Sequence, residues 1–358
     1  MPQYGPGGAE GASAVNALEP YAQPTGMEDL TVKRFLLAGV AAFALATEAL
    51  AQAVQIDPAL PVYQPVSGIS GSLKSIGSDT LNNLMTLWAE GFQAVYPNVR
   101  IEIEGKGSST APPALIAGTS QFGPMSREMN QRERDEFQKR YGYPPAAIRG
   151  AVDSLAVYVH KDNPLRCLTM QQVDAIFSKT RRGGHPEPIT RWGQLGLTGE
   201  WADKPISLYG RNSASGTYGY FKEVALFRGD FADAVKEQPG SSTVVQGVAS
   251  DKFAIGYSGI GYKTADVRAV PLAARPGESC YEATPDNAYS GDYPLARFLY
   301  IYVNVNPNQP LDPLRREFIR FVYSRQGQEA TVKDGYYPIT RAIADEDLKS
   351  MGITPSGS

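Results

Sequence analysis

Arg211, Ser213, Ser215, Gly216 and Thr217 fall together in "GRNSASGTYGYF" and lead directly into a helix-like segment. A guanidinium fork, several hydroxyls and the free amides of a helix start can together form a nest for a tetrahedral oxyanion. A plainer reading needs only a capped helix beside a solvated arginine, with Ser215 or Thr217 as the cap and Gly216 easing the turn. Repetition weighs against it. Gly77-Ser78-Asp79-Thr80, Gly105-Lys106-Gly107-Ser108-Ser109-Thr110 and Ser126-Arg127 each follow a strand-like run, as Arg211 to Thr217 does. In open α/β sheets, ligands bind outside the carboxyl ends of the strands, where such loops lie. One small anion held by amides and hydroxyls accounts for all four loops at once.

Those loops need alternating strands and helices to hold them. "SLKSIGS" reads as a strand, and "TLNNLMTLWAEGFQAVYP" sets Leu81, Leu84, Met85, Trp88, Phe92 and Val95 on one helical stripe. "NVRIEIEG" alternates Val99, Ile101 and Ile103, and "STAPPALIAG" is a short helix with prolines in its first turn. "QFGPMS", "DSLAVYVHKDNP", "ISLYGR", "FAIGYSGIGY" and "RFLYIYVNVNP" read as further strands. "TMQQVDAIFSK", "TYGYFKEVAL" and "LRREFIRFVYSRQGQEATVKDG" read as helices. This alternation predicts an α/β protein with mostly parallel sheets covered by helices.

With 358 residues the chain can form one large or two medium domains, and its 42% hydrophobic and 20% charged residues suit a packed core. A net charge of -3 with no basic run argues against a nucleic-acid partner. Residues 1–26 are Gly/Ala/Pro-rich and are expected to be disordered or an over-extended start. From Met27, the expected true start, Lys33 and Arg34 precede an apolar run from Phe35 to Ala46 and the small residues Ala49-Leu50-Ala51. That pattern predicts a signal peptide over 27–51, cleaved after Ala51. Its apolar run is shorter than the ~20 residues of a membrane span, so the mature chain is expected to be exported and not membrane-embedded.

Cys167 and Cys280 could form a single disulfide in an oxidising compartment or stay as two buried thiols; neither has zinc-ligand spacing. His160 and His185 lie away from the nest motifs, and no G-x-S-x-G elbow or clustered Asp/His set is present. A binding role without cofactor or metal is therefore expected over an enzymatic one.

The stretches "IGSDTLNNLMTLW", "IEGKGSSTAPPALIAGTSQFGPMSR", "AVDSLAVYVHKDNPL", "LTMQQVDAIFS", "RWGQLG", "LYGRNSASGTYGYF" and "AIGYSGIGY" resemble the substrate-binding proteins of high-affinity phosphate ABC importers. These belong to the type II periplasmic binding protein-like superfamily. The resemblance runs in family order from about residue 70 to 340, with Arg211 to Thr217 as its most specific part. It implies two α/β lobes, with the ligand in the cleft between them. Lobe 1 would be 68–153 plus 294–342, lobe 2 would be 154–293, and 343–358 would be a C-terminal tail. "DSLAVYV" and "RFLYIYV" would be the crossing strands. It also implies a monomeric periplasmic protein that delivers phosphate to a membrane permease. Sulfate or molybdate binding on the same fold and a secreted phosphatase are the alternatives.

By similarity, Arg211, Ser215, Gly216 and Thr217 would hold phosphate from the second lobe, with Ser213 in the same run. Ser108, with Ser109 beside it, would do so from the first, and Ser78 and Thr80 from the opening loop. After "QFG", many family members carry an aspartate that accepts a proton from phosphate and thereby rejects sulfate. Here Ser126 and Arg127 follow. The acceptor is then expected from another strand end, Asp153 first and Asp79 second. Asp153 has a competing role as a hinge residue, and Asp79 as a helix cap.

Overall fold

The computed structural model describes residues 54–355. The expectations for 1–26 and for the signal peptide, with its cleavage after Ala51, lie outside the described residues. Among the described residues, twelve strands run in chain order as β1 (Gly71–Gly77), β2 (Val99–Gly105), β3 (Phe122–Met125), β4 (Ala146–Ser154), β5 (Ala156–His160) and β6 (Leu168–Thr169), followed by β7 (Ser207–Arg211), β8 (Lys236–Gln238), β9 (Ala254–Ser258), β10 (Val267–Ala269), β11 (Leu272–Ala273) and β12 (Ala296–Val303). One five-stranded sheet has the order β2-β1-β3-β12-β4, a second has β10-β5-β9-β7-β8, and β11 pairs with β6.

Each five-stranded sheet is mixed rather than mostly parallel. In the first, β1 pairs in parallel with β2 and β3, while β12 is antiparallel to β3 and β4. In the second, β7 is parallel to β8 and β9, while β5 is antiparallel to β9 and β10. The antiparallel pairs involve the strands next to the passages between sheets: β4 and β5, separated by Leu155 alone, and β12, which follows Leu295. The Leu155 amide donates to the Leu295 carbonyl at 3.0 Å, so the two passages lie side by side.

Among the described residues, ten α-helices complete the fold. They are α1 (Asn82–Val95), α2 (Ala111–Ala117), α3 (Gln131–Tyr141), α4 (Met170–Phe177), α5 (Gly216–Val224), α6 (Ser241–Ser250), α7 (Pro285–Ser290), α8 (Pro313–Val322), α9 (Arg325–Lys333) and α10 (Arg341–Ser350). The stripe predicted for α1 buries Leu84, Met85, Trp88 and Phe92 against α8 and α9, where Phe92 meets Phe318 and Phe321 edge-on. The indole N–H of Trp88 donates to the Gly327 carbonyl at 2.8 Å, which satisfies its polar end in a dry core. A second core forms around Phe177, Phe221 and Tyr257, the last two stacked at 3.9 Å.

Residues from 343 onward, expected as a tail, carry most of α10. Its Ala344 and Leu348, with Met351 and Ile353 beyond it, pack into the first core. Cys167 and Cys280 are paired with Cα atoms 6.0 Å apart, beside the Leu168–Leu272 register of β6 and β11. Among the described residues no helix is long and apolar enough to cross a membrane.

Candidate functional site

The carboxyl ends of β1, β2, β3 and β7 meet at one point. Backbone clearance explains why glycine sits at their edges. A Cβ on Gly77 would collide with the Pro124 carbonyl, one on Gly107 with the Ala214 carbonyl, and one on Gly216 with Ser108 Oγ. Gly107 also holds φ at +121°, which L side chains rarely adopt.

At the mouth of α5, Ser215 is the N-cap, and its Oγ accepts from the amides of Thr217 and Tyr218. Thr217 follows in the first turn, where its hydroxyl lies 2.9 Å from Thr80 Oγ1 and 3.3 Å from Ser126 Oγ. Ser108 closes the group: its Oγ accepts from the Ser126 amide at 3.0 Å and lies 3.4 Å from Ser126 Oγ. Ser78, Thr80, Ser108, Ser126, Ser215 and Thr217 are all buried. Four loops far apart in sequence thus bring their hydroxyls into one enclosed cluster at a helix N-terminus.

Arg211, at the end of β7, is only 1% exposed. One amino group donates to Ser241 Oγ at 2.6 Å; the other donates to the Pro239 carbonyl at 3.1 Å and lies 3.3 Å from Asp79 Oδ2. Its Nε is buried with no hydrogen-bond partner. Burial lowers its pKa, partly offset by Asp79, but an arginine at this position keeps its charge at neutral pH. An unpaired, buried guanidinium N–H is an unmet donor. Asp79 is half-buried, and its Oδ2 also accepts from the Ser241 amide at 2.8 Å.

Asp153 has a different environment. It is fully buried opposite Arg297 in the β4–β12 register. Its Oδ2 accepts from Arg297 Nε at 2.9 Å and Nη2 at 2.8 Å, and its Oδ1 from the Ile260 amide at 2.8 Å. Both oxygens are committed to the protein, so the carboxylate expected first as the acceptor is already satisfied. Arg127 is likewise engaged, with two 2.7 Å bonds to Glu133. It lines a cavity of about 890 Å³ on the outer side of the cluster, together with Ser109, Ser213, Tyr220 and Arg297. Ser109 and Ser213 are exposed, and Ser109 Oγ donates to the Ala214 carbonyl at 2.8 Å. These three residues stand at the rim of the cluster rather than within it.

Arg297 was not anticipated. It is 7% exposed, and besides Asp153 it donates to the Ser126 carbonyl at 2.7 Å and to Thr217 Oγ1 at 3.0 Å. The available signal was an arginine near the start of the apolar strand "ARFLYIYV", since a buried charge requires a partner. Ser241, Tyr262 and Tyr336 were also missed. The hydroxyls of Tyr262 and Tyr336 hold the Asp79 and Thr80 carbonyls, both at 2.9 Å.

A model of the PBP superfamily domain matches residues 63–326. The phosphate-binding protein PstS of Pseudomonas aeruginosa is 55% identical over 318 residues, which is 89% of this chain and 98% of the relative. PstS of Staphylococcus haemolyticus is 27% identical over 79% of this chain and 86% of the relative. A crystal structure from Clostridium perfringens, described as a phosphate ABC transporter substrate-binding protein with bound phosphate, superposes with a TM-score of 0.63. It is 27% identical, and the alignment covers 75% of this chain and all of that one (100%). The superfamily domain fills most of the sequence, and the Pseudomonas relative is matched almost end to end. The chain therefore belongs to the PstS phosphate-binding proteins of the PBP superfamily.

Proposed function

We propose that this chain captures inorganic phosphate outside the cytoplasmic membrane and delivers it to the permease of an ABC importer. The observation that carries the reading is the cluster of buried hydroxyls that four strand ends bring to the start of α5, with the buried Arg211, whose Nε has no hydrogen-bond partner, ending one of those strands. A phosphate there would take a charge-assisted bond from Arg211, hydroxyl bonds from Ser78, Thr80, Ser108, Ser126, Ser215 and Thr217, and amides around Gly216. Among the described residues no group of three or more His, Cys, Asp or Glu could hold a metal.

The two sheets are the frameworks of two lobes, 68–153 plus 294–342 and 154–293. They would hinge where Leu155 lies beside Leu295. Ser108 and Ser126 already lie against Gly216, so opening at this hinge would admit the anion and return to this arrangement would trap it. Selectivity falls to Asp79. Its Oδ1 takes no part in the bonds that hold Oδ2, and an acceptor-only oxygen can bond protonated phosphate but not sulfate. The protein would act in the periplasm, after cleavage behind Ala51. Calorimetric titration of desalted protein with phosphate, arsenate and sulfate tests the reading. Tight phosphate and arsenate binding with weak sulfate binding is expected, and no response to phosphate would refute it.

A further inference from the structure

We infer that Arg297 is a positioning residue for the anion site: its fork fixes the direction in which Thr217 donates its proton. The inference rests on the phosphate reading above and adds a component to it. Guanidinium groups donate and never accept. The 3.0 Å contact from Arg297 Nη2 therefore makes Thr217 Oγ1 the acceptor of that bond. A threonine hydroxyl has a single proton, so that proton must point elsewhere, toward Thr80, Ser126 or a bound anion. Two further hydroxyls are set by the same logic. Ser108 Oγ accepts from the Ser126 amide, and Ser215 Oγ from the amides of Thr217 and Tyr218. Backbone amides do this work for the serines; for Thr217 a side chain does it.

The fork is itself held rigidly. Asp153 grips it through Nε and Nη2, the Ser126 carbonyl accepts from Nη1, and the guanidinium lies 5.2 Å from the centre of the Tyr220 ring. Because Arg297 and Asp153 face each other across β12 and β4, the donor angle at Thr217 is set by strand register beside the passages between sheets. The consequence is a preorganised donor, which spares the anion the cost of reorienting a rotor when it binds. A lysine would keep the charge but could not reach Asp153, Ser126 and Thr217 with fixed angles.

Phosphate titrations of the parent, Arg297→Lys, Arg297→Met, Thr217→Val and the double variant Thr217→Val/Arg297→Met test this. Thermal melts accompany them, to show that each variant folds. Arg297→Lys and Arg297→Met should each weaken phosphate binding about tenfold or more. In the Thr217→Val background, Arg297→Met should weaken it by less than about threefold, because the hydroxyl it directs is gone. Parent-like binding by Arg297→Lys would overturn the inference, as would an equal Arg297→Met loss with and without Thr217. The phosphate reading would survive either result as long as the parent binds. A parent that binds no phosphate would sink both. If Arg297→Met fails to fold, the cycle is run with Arg297→Lys and read by the same criteria.

Discussion

Gly216→Ala separates fold stability from lobe closure. Gly216 opens α5 with its Cα facing the other lobe's loops. An added Cβ would overlap Ser108 Oγ and come within 2.7 Å of Ser126 Oγ and 2.8 Å of Ser108 Cβ. Within its own lobe the change is mild, since alanine favours helix over glycine by about 0.8–1.0 kcal/mol. The damage falls on closure. Relieving the overlap means drawing Thr217 away from Thr80 and Ser126, now 2.9 and 3.3 Å distant. Two neutral hydrogen bonds at about 0.5–1.5 kcal/mol each put the cost at roughly 1–3 kcal/mol, a loss of about 5- to 150-fold in phosphate affinity. Calorimetry and a thermal melt on the same sample read the two quantities. Affinity should fall while the ligand-free melting temperature holds or rises. Parent-like affinity would show that Ser108 and Ser126 do not close onto α5, and an equal loss of stability would show that Gly216 serves the fold alone.

Asp79→Asn should leave sulfate binding unchanged or stronger while weakening phosphate, as read by paired titrations. An unchanged phosphate-to-sulfate ratio contradicts the selectivity account. Asp334 is buried beside Asn83, and burial raises its carboxyl pKa to about 6, the Asn83 bond offsetting only part of this. The folded state thus binds this proton more tightly than the unfolded chain. Its contribution to stability is full below about pH 4 and is lost as pH rises through about 6. Asp334→Asn should therefore gain about 1–2 kcal/mol near pH 7.5 and little at pH 4.5, from urea midpoints; equal shifts at both pH values contradict this. Cys167 and Cys280, 113 residues apart, should show no free thiols before reduction, and reduction should cost about 3–5 kcal/mol of stability. Two thiols alkylated in unreduced protein from the export compartment would refute the bond.

What could be read from the sequence was local. The strand ends carrying Ser78, Ser108, Ser126 and Arg211 each advertise themselves by glycine and hydroxyls within a few residues, and these loops do converge. What escaped depends on pairing across long separations. Arg297 meets Asp153 through a strand register linking residues 144 apart, which no local pattern encodes. Not knowing that partner, a sequence reading ranks Asp153 as the free acceptor; with Arg297 and the Ile260 amide in place, Asp79 is the better candidate. The mixed sheets escaped for a similar reason: β5 and β12 read as ordinary strands, and only their register shows that they run antiparallel to their neighbours. In "RAIADEDLKS" the charges obscured Ala344 and Leu348, whose four-residue spacing is the helical signal that packs α10 onto the core.

Parallel phosphate titrations of the parent and Arg211→Ala test whether phosphate binds at Arg211 and the hydroxyl cluster. The replacement removes the buried Nε donor and leaves Asp79 without its cation. One to two charged hydrogen bonds at about 1.5–3 kcal/mol each predict a loss of at least tenfold, reaching thousands-fold. Ser78→Ala, which removes one neutral hydroxyl, should cost about tenfold or less. Phosphate binding by Arg211→Ala within threefold of the parent would place the site elsewhere and contradict the account.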